Sequence, residues 1–132
     1  MKEEKTTYKF LIHCGIHQIR EGFETNIKML GFPTETRYAD LLQEGIIAEL
    51  KSVPDLVVVL QHECDSDYLL PLKVKLFARN YPVLVVSPSM PDSYYHFLKT
   101  IGVDHIVQLP ADNEAICDTI TSILNEGTHG KP

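Results

Sequence analysis

The sequence has no apolar stretch approaching the roughly 20 residues that a membrane-spanning helix needs. Met1-Lys2-Glu3-Glu4-Lys5 is followed by no apolar segment of the kind that makes a signal peptide. Positive charge is also short. Lys and Arg number 12 against 18 Asp and Glu, for a net charge of −6, and no Lys/Arg cluster stands out. That excludes non-specific nucleic-acid binding, which needs a basic surface. Cysteine is scarce: Cys14, Cys64 and Cys117 are odd in number and irregular in spacing. They read as reduced thiols of a cytoplasmic protein, not as a disulfide framework. There is no internal repeat and no low-complexity tract. What is present is ordinary for a globular domain: 132 residues, 44% hydrophobic and 23% charged, enough for one core. The polar end, from Asn125 on, sets the expected organisation as one domain over 1–126 and a flexible tail over 127–132.

The organising stretch is Pro54-Asp55-Leu56-Val57-Val58-Val59-Leu60-Gln61. A short unbroken valine-rich run reads as a strand buried on both faces, in the middle of a parallel sheet. Upstream, Tyr8 to His13 reads as a first strand. Ile19, Phe23, Ile27 and Leu30 then recur at helical spacing, with Arg20, Glu21, Glu24 and Lys28 on the other side. Gly31 is the expected stop of that helix. Thr34 to Tyr38 is half polar and reads as an edge strand. Asp40 is placed to cap a helix carrying Leu42, Ile46, Ile47 and Leu50. After the central run, a polar loop (His62 to Asp67) leads to a helix from about Tyr68 to Arg79, with Pro71 in its first turn. Pro82 to Val86 is a second buried strand. Asp92 is the expected cap of a helix ending near Gly102. His105 to Gln108 is a short strand, and Asp112 caps a last helix that turns Ile116, Ile120, Ile123 and Leu124 inward.

Strand and helix thus alternate five times, which predicts an α/β fold with a parallel sheet covered on both faces. An edge-like second strand and a central third strand select the flavodoxin-like (βα)5 three-layer sandwich, order 2-1-3-4-5. In such sheets ligands bind beyond the carboxyl ends of the strands, so a site belongs near Leu60.

Almost the whole chain resembles the CheY-like receiver domain of two-component response regulators. The resemblance rests on Ile19-Arg20-Glu21-Gly22-Phe23 leading to Met29-Leu30-Gly31-Phe32, and on Pro54 to Val59. It rests also on Pro82 to Ser87, and on Gly102-Val103-Asp104 followed by Leu109-Pro110. Family members end the first strand with two acidic residues that hold Mg²⁺; the matching positions here are Cys14 and Gly15. The phosphorylated aspartate matches Leu60, or Gln61 in a frame shifted by one. The hydroxyl residue is retained as Ser87. The lysine ahead of the family's proline becomes Leu109, before Pro110, and the aromatic switch residue becomes Ile106.

These replacements belong together physically. Mg²⁺ needs carboxylate oxygens, and leucine cannot carry a phosphoryl group. A lysine at position 109 with no carboxylate nearby would be a partly buried, unpaired charge costing several kcal/mol. The resemblance therefore implies a pseudo-receiver that is not phosphorylated and uses no metal or other cofactor. It would act through a protein partner (a kinase, a regulator or an output domain) or as a homodimer, with no direct nucleic-acid or membrane contact. In ordinary receivers the responsive face combines the fourth helix, last strand and last helix. Here that is Asp92–Ile101, His105–Gln108 and Asp112–Leu124, with Tyr94, Tyr95, Lys99, His105, Val107, Glu114 and Asp118 as candidate contacts. Tyr94, Tyr95 and Phe97 cannot all be buried on one short helix, so at least one should face solvent or a partner.

A rival reading starts from His13-Cys14-Gly15-Ile16-His17-Gln18-Ile19-Arg20. This Cys-x5-Arg segment resembles the phosphate loop of cysteine-dependent phosphatases, in which a helix N-terminus and an arginine activate the thiol. On that reading Cys14 and Arg20 are catalytic. Bulky Ile16, Gln18 and Ile19 fit such a loop poorly, and Glu21 would repel phosphate. A phosphocysteine carrier, like the IIB domains of sugar transport, rests on Cys14-Gly15 alone. His13, His17, His62 and Cys64 match no standard zinc spacing. Asp65 and Asp67 read as turn and cap residues. The neutralised pocket also leaves room for a small-molecule sensor.

Overall fold

The computed structural model describes residues 7–14, 17–38, 54–60, 74–75, 81–87, 91–103, 105–109 and 111–129, with residues 14, 17–19 and 127–129 described by their backbone. The expected helix after Asp40, the His62–Asp67 loop, Gly15, Gln61 and Pro110 lie outside these residues, as does all of the expected Tyr68–Arg79 helix except the helical pair Val74 and Lys75. The strands are β1 (Tyr8–Cys14), β2 (Thr34–Tyr38), β3 (Leu56–Leu60), β4 (Val83–Ser87) and β5 (His105–Gln108). The helices are α1 (His17–Lys28), α2 (Asp92–Thr100) and α3 (Asn113–His129).

Every residue of β3 and of β4 is buried. Apolar side chains on both faces are what allow a strand to lie between two helical layers. The sheet is parallel throughout, in the order β2-β1-β3-β4-β5, the flavodoxin-like topology that the alternation predicts. β2 alternates half-buried and exposed residues, as an edge strand should.

The pleat splits the strand side chains between two cores. On one face Phe10, Ile12, Leu56, Val58, Leu60, Leu84, Val86 and Val107 meet Phe23 and Ile27 of α1 and Ile116, Ile120, Ile123 and Leu124 of α3. On the other, Leu11, Val57, Val59, Val83 and Val85 meet Val74, Val103 and the α2 residues Tyr94 and Leu98. All four residues expected to turn inward from the last helix do so. The Pro-Asp pair ahead of β3 fixes how that strand begins. Asp55 accepts the Lys9 N–H on Oδ2 at 2.8 Å and donates its own N–H to the Lys9 carbonyl at 2.7 Å. These two hydrogen bonds set the register of β3 against β1.

Helix ends depart from expectation in three places. Gly31 does not close α1. The helix stops at Lys28 and tightens, Met29 N–H bonding the Asn26 carbonyl and Leu30 N–H the Ile27 carbonyl. That path brings Leu30 and Phe32 back against the core. Among the described glycines, positive φ (98°) is found at Gly102. There Gly102 N–H bonds the Lys99 carbonyl and Val103 N–H the Leu98 carbonyl, the pair that defines a Schellman end, with Val103 and Leu98 in one core. Asp92 is the first residue of α2 rather than its cap; Pro91 holds the cap position, and its carbonyl accepts the N–H groups of Tyr94 and Tyr95. Asp92 instead places negative charge in the first turn, where the helix dipole favours it. Lastly, α3 runs on to His129, through residues expected in a tail. His105 Nε2 lies 3.9 Å from Glu126 Oε1, tying that end of the helix to β5.

Candidate functional site

The carboxyl ends of the strands assemble the predicted rim. Cys14 ends β1 and Leu60 ends β3 as direct cross-strand partners. Ser87 ends β4 opposite Gln108 of β5. Leu109 follows β5, its N–H donating to the Ser87 carbonyl at 2.8 Å. Leu60 and Ser87 are 2% and 3% exposed, so neither is a surface residue.

The rim is not one pocket, however. Leu60 and Val86 belong to the core facing α1 and α3, and Leu109 packs against it. Side chains alternate along a strand, so Ser87 points to the face opposite Val86. Ile106 packs on the α2 side, beside Val85 and Leu98. The expected set therefore divides: Leu60 and Leu109 share one face, while Ser87 and Ile106 are on the other.

Leu60 and Leu109 border a cavity of about 280 Å³. Phe23, Val86 and Ile116 complete its apolar wall, with Ala111 beside them. Gly22, Asn26 and Asn113 supply the rest of the described lining. Asn26 is 3% exposed. Its Nδ2 donates to Asn113 Oδ1 at 2.6 Å, bridging α1 and α3. The Cys117 thiol donates to the Asn26 carbonyl at 3.2 Å. Burial, and then the neighbouring Asp118 carboxylate, push the Cys117 thiol above its ordinary value, so it is a poor nucleophile. A pocket beside Leu60 and Leu109 is expected from sequence; the Asn26–Asn113 bridge and the Cys117 bond are not. The available signal was a polar residue, Asn26, one helical step from Phe23 on the inward face of α1.

Arg20 has a different engagement from the one the phosphate-loop reading requires. Its guanidinium carbon lies 3.9 Å from the centre of the Tyr38 ring. The Tyr38 hydroxyl donates to Glu24 Oε2 at 2.6 Å. Arg20, Glu24 and Tyr38 thus form a cation–π and hydrogen-bonded cluster tying α1 to the edge strand β2. Burial first, then the hydrogen bond to Glu24 and its charge, hold the Tyr38 hydroxyl well above the ordinary tyrosine range, with Arg20 opposing. The unfolded chain loses this proton first, at about pH 10. The contribution is therefore intact below that pH and is lost as pH rises above it. Urea midpoints measured from pH 8 upward should fall more steeply for the native chain than for Tyr38→Phe.

The expected contact face is narrower than its sequence outline. Tyr94 and Val107 are each 9% exposed and belong to the two cores. A tyrosine in the first turn of α2, and an alternate residue of β5, turn inward because the sheet needs both. Tyr95 is 40% exposed, Lys99 lies 5.6 Å from its ring centre, and Glu114 and Asp118 are exposed along α3. His105 is half-buried. Among the described residues no three His, Cys, Asp or Glu side chains gather as a metal site, and no helix is long and apolar enough to cross a membrane.

The sheet order and the helices on its two faces are those of the CheY-like receiver fold, a flavodoxin-like architecture. Among solved structures, the chain superposes on a CheY-like response regulator receiver domain protein from Methanospirillum hungatei JF-1 with a TM-score of 0.75 and 15% identity, over 95% of this chain and 99% of that one. A pilus assembly-related protein from Burkholderia pseudomallei matches with a TM-score of 0.75 and 11% identity, over 96% of each chain. A LuxR family DNA-binding response regulator from Silicibacter pomeroyi matches with a TM-score of 0.74 and 17% identity, over 89% of this chain and 92% of that one. At these identities the likeness is one of fold. No protein-family model matches the chain, and no curated protein matches it in sequence.

Proposed function

We propose that the chain is a response-regulator-like signalling domain that has dispensed with phosphorylation, a cytoplasmic pseudo-receiver acting by protein contact. One observation carries this reading: the strand ends where a receiver keeps its carboxylates hold Cys14 and Leu60 side by side, and Leu109, just past β5, borders the same cavity as Leu60. Nothing in that trio can ligate Mg²⁺ or accept a phosphoryl group from a phosphodonor as an aspartate does. The receiver neighbours support the signalling class. The same fold in a pilus assembly-related protein is consistent with one architecture hosting different roles.

Output then falls to the surface of α2, β5 and α3. Tyr95 and Lys99 offer an exposed aromatic and a cation on α2, and Glu114 and Asp118 an acidic stripe on α3. Across a two-fold axis such a surface is self-complementary in charge, which suits a homodimer as well as a protein partner. Incubation with acetyl phosphate and Mg²⁺ tests the central claim. The intact mass is expected to stay unchanged, with no shift in the amide spectrum; a phosphoryl increment on any carboxylate overturns the reading.

A further inference from the structure

We propose that the cavity between α1 and α3 is a binding site for a small, uncharged, mostly apolar molecule carrying one hydrogen-bond donor, about the size of two fused rings. The proposal rests on the cavity itself and stands apart from the phosphorylation reading.

Size comes first. A cavity of roughly 150 Å³ lined by Leu, Ile and Phe takes up benzene, and this one measures about 280 Å³. Charge comes second. Phe23, Leu60, Val86, Leu109 and Ile116 present hydrocarbon, and no described lining residue is charged. An anion entering here would lose its hydration and meet no counter-charge.

The polar feature is Asn26. Its Nδ2 is committed to Asn113, and among the described residues no donor reaches its Oδ1. Among those residues, too, no side-chain nitrogen or oxygen is both sealed off and unpaired. Asn26 lines the cavity, and in this proposal its Oδ1 is the acceptor for the occupant's donor.

Access is the last feature. Gly22 lies one helical turn before Asn26, exposed at the cavity mouth. A Cβ built there meets nothing within 4 Å. Glycine in a helix interior is destabilising relative to alanine, and here neither crowding nor positive φ demands it. Its effect is to leave the mouth open.

Indole is the probe, with 1-methylindole and indole-3-carboxylate as matched controls, titrated into the isotope-labelled chain and followed by NMR. Indole should shift the amides of Gly22, Asn26, Leu60 and Leu109 saturably, with a dissociation constant on the order of 1 mM or tighter. 1-Methylindole lacks the donor and should bind about three- to tenfold more weakly. The carboxylate should show no saturable binding. Gly22→Leu puts a side chain in the mouth and should abolish the shifts while keeping the native spectrum. Ala111→Leu should do the same from the opposite wall, so a folding defect in one variant leaves the other informative. Shifts that never saturate, or that persist in both variants, overturn the site. Equal affinity of indole and 1-methylindole overturns the role of Asn26, and saturable binding of the carboxylate overturns the neutral class.

Discussion

Leu60→Asp, the single change that puts a carboxyl group at the end of the central strand, should destabilise the chain by roughly 3–5 kcal/mol at neutral pH. Leu60 is 2% exposed and its surroundings are Phe23, Val86, Leu109 and Ile116. A carboxylate there has lost water, and the described lining offers it two amides, Asn26 and Asn113, already bonded to each other, and no cation. Burial raises the pKa of the introduced group in the folded state above its unfolded value of about 3.9. Below about pH 4 it is neutral in both states, so the penalty shrinks to that of a neutral polar side chain. As pH climbs, the unfolded chain ionises first and stability falls until the folded pKa is passed. Leu60→Asn is the control without a charge. Urea unfolding of the two variants should give similar midpoints in acid and separate toward neutrality. Parallel curves at all pH values would mean that the site is wetter than its burial indicates. Nor should acetyl phosphate modify the Leu60→Asp variant, because a lone carboxyl group beside Cys14 does not make a Mg²⁺ site.

The second large effect is expected at Ile120. It is fully buried at the middle of α3, inside the core formed with Phe10, Ile12, Val58 and Phe23. Ile120→Ala removes hydrocarbon and leaves a void that a well-packed three-layer core closes only in part. The cost is about 2–5 kcal/mol, a large share of the roughly 5–15 kcal/mol that holds a domain together. A drop in melting temperature on the order of 10–20 °C should follow for a chain of this size. Tyr95→Ala is the matching surface control. Tyr95 is 40% exposed, so its truncation should stay within about 0.5 kcal/mol. A comparable loss at both positions would contradict the division of α2 and α3 into buried and exposed faces.

Individual elements show how far local pattern reaches. Thr34–Tyr38 and His105–Gln108 are legible to the residue, the first because an edge strand alternates and the second because it is a short apolar pair between polar ends. The inward set of α3 is legible because four branched residues repeat at helical spacing. The central position of Leu56–Leu60 follows from a run that is apolar on both faces. The helix ends are less legible. Asp92 has the composition of a cap, yet Pro91 takes that position because its fixed φ of −58° already suits the entry to α2. Gly31 has the composition of a stop, yet the chain turns earlier to bury Leu30 and Phe32.

The candidate site is legible in part. That Cys14 and Leu60 end their strands, with Leu109 just past β5, follows from residue order read against the receiver pattern. That Arg20 lies over Tyr38, and that Tyr94 and Val107 are buried, does not. From residue order alone, then, come the alternation of strands and helices, the sheet order, the acidic balance and the identity of the strand-end residues. Each is a property of one segment, carried by periods of two or 3.6 residues or by simple counting. The fold alone decides that Asn26 meets Asn113 across 87 residues of chain, and that Gly22 and Leu60 border one cavity. Such features belong to the space between elements, and that space is set by how two helices and a twisted sheet pack, which no single segment encodes.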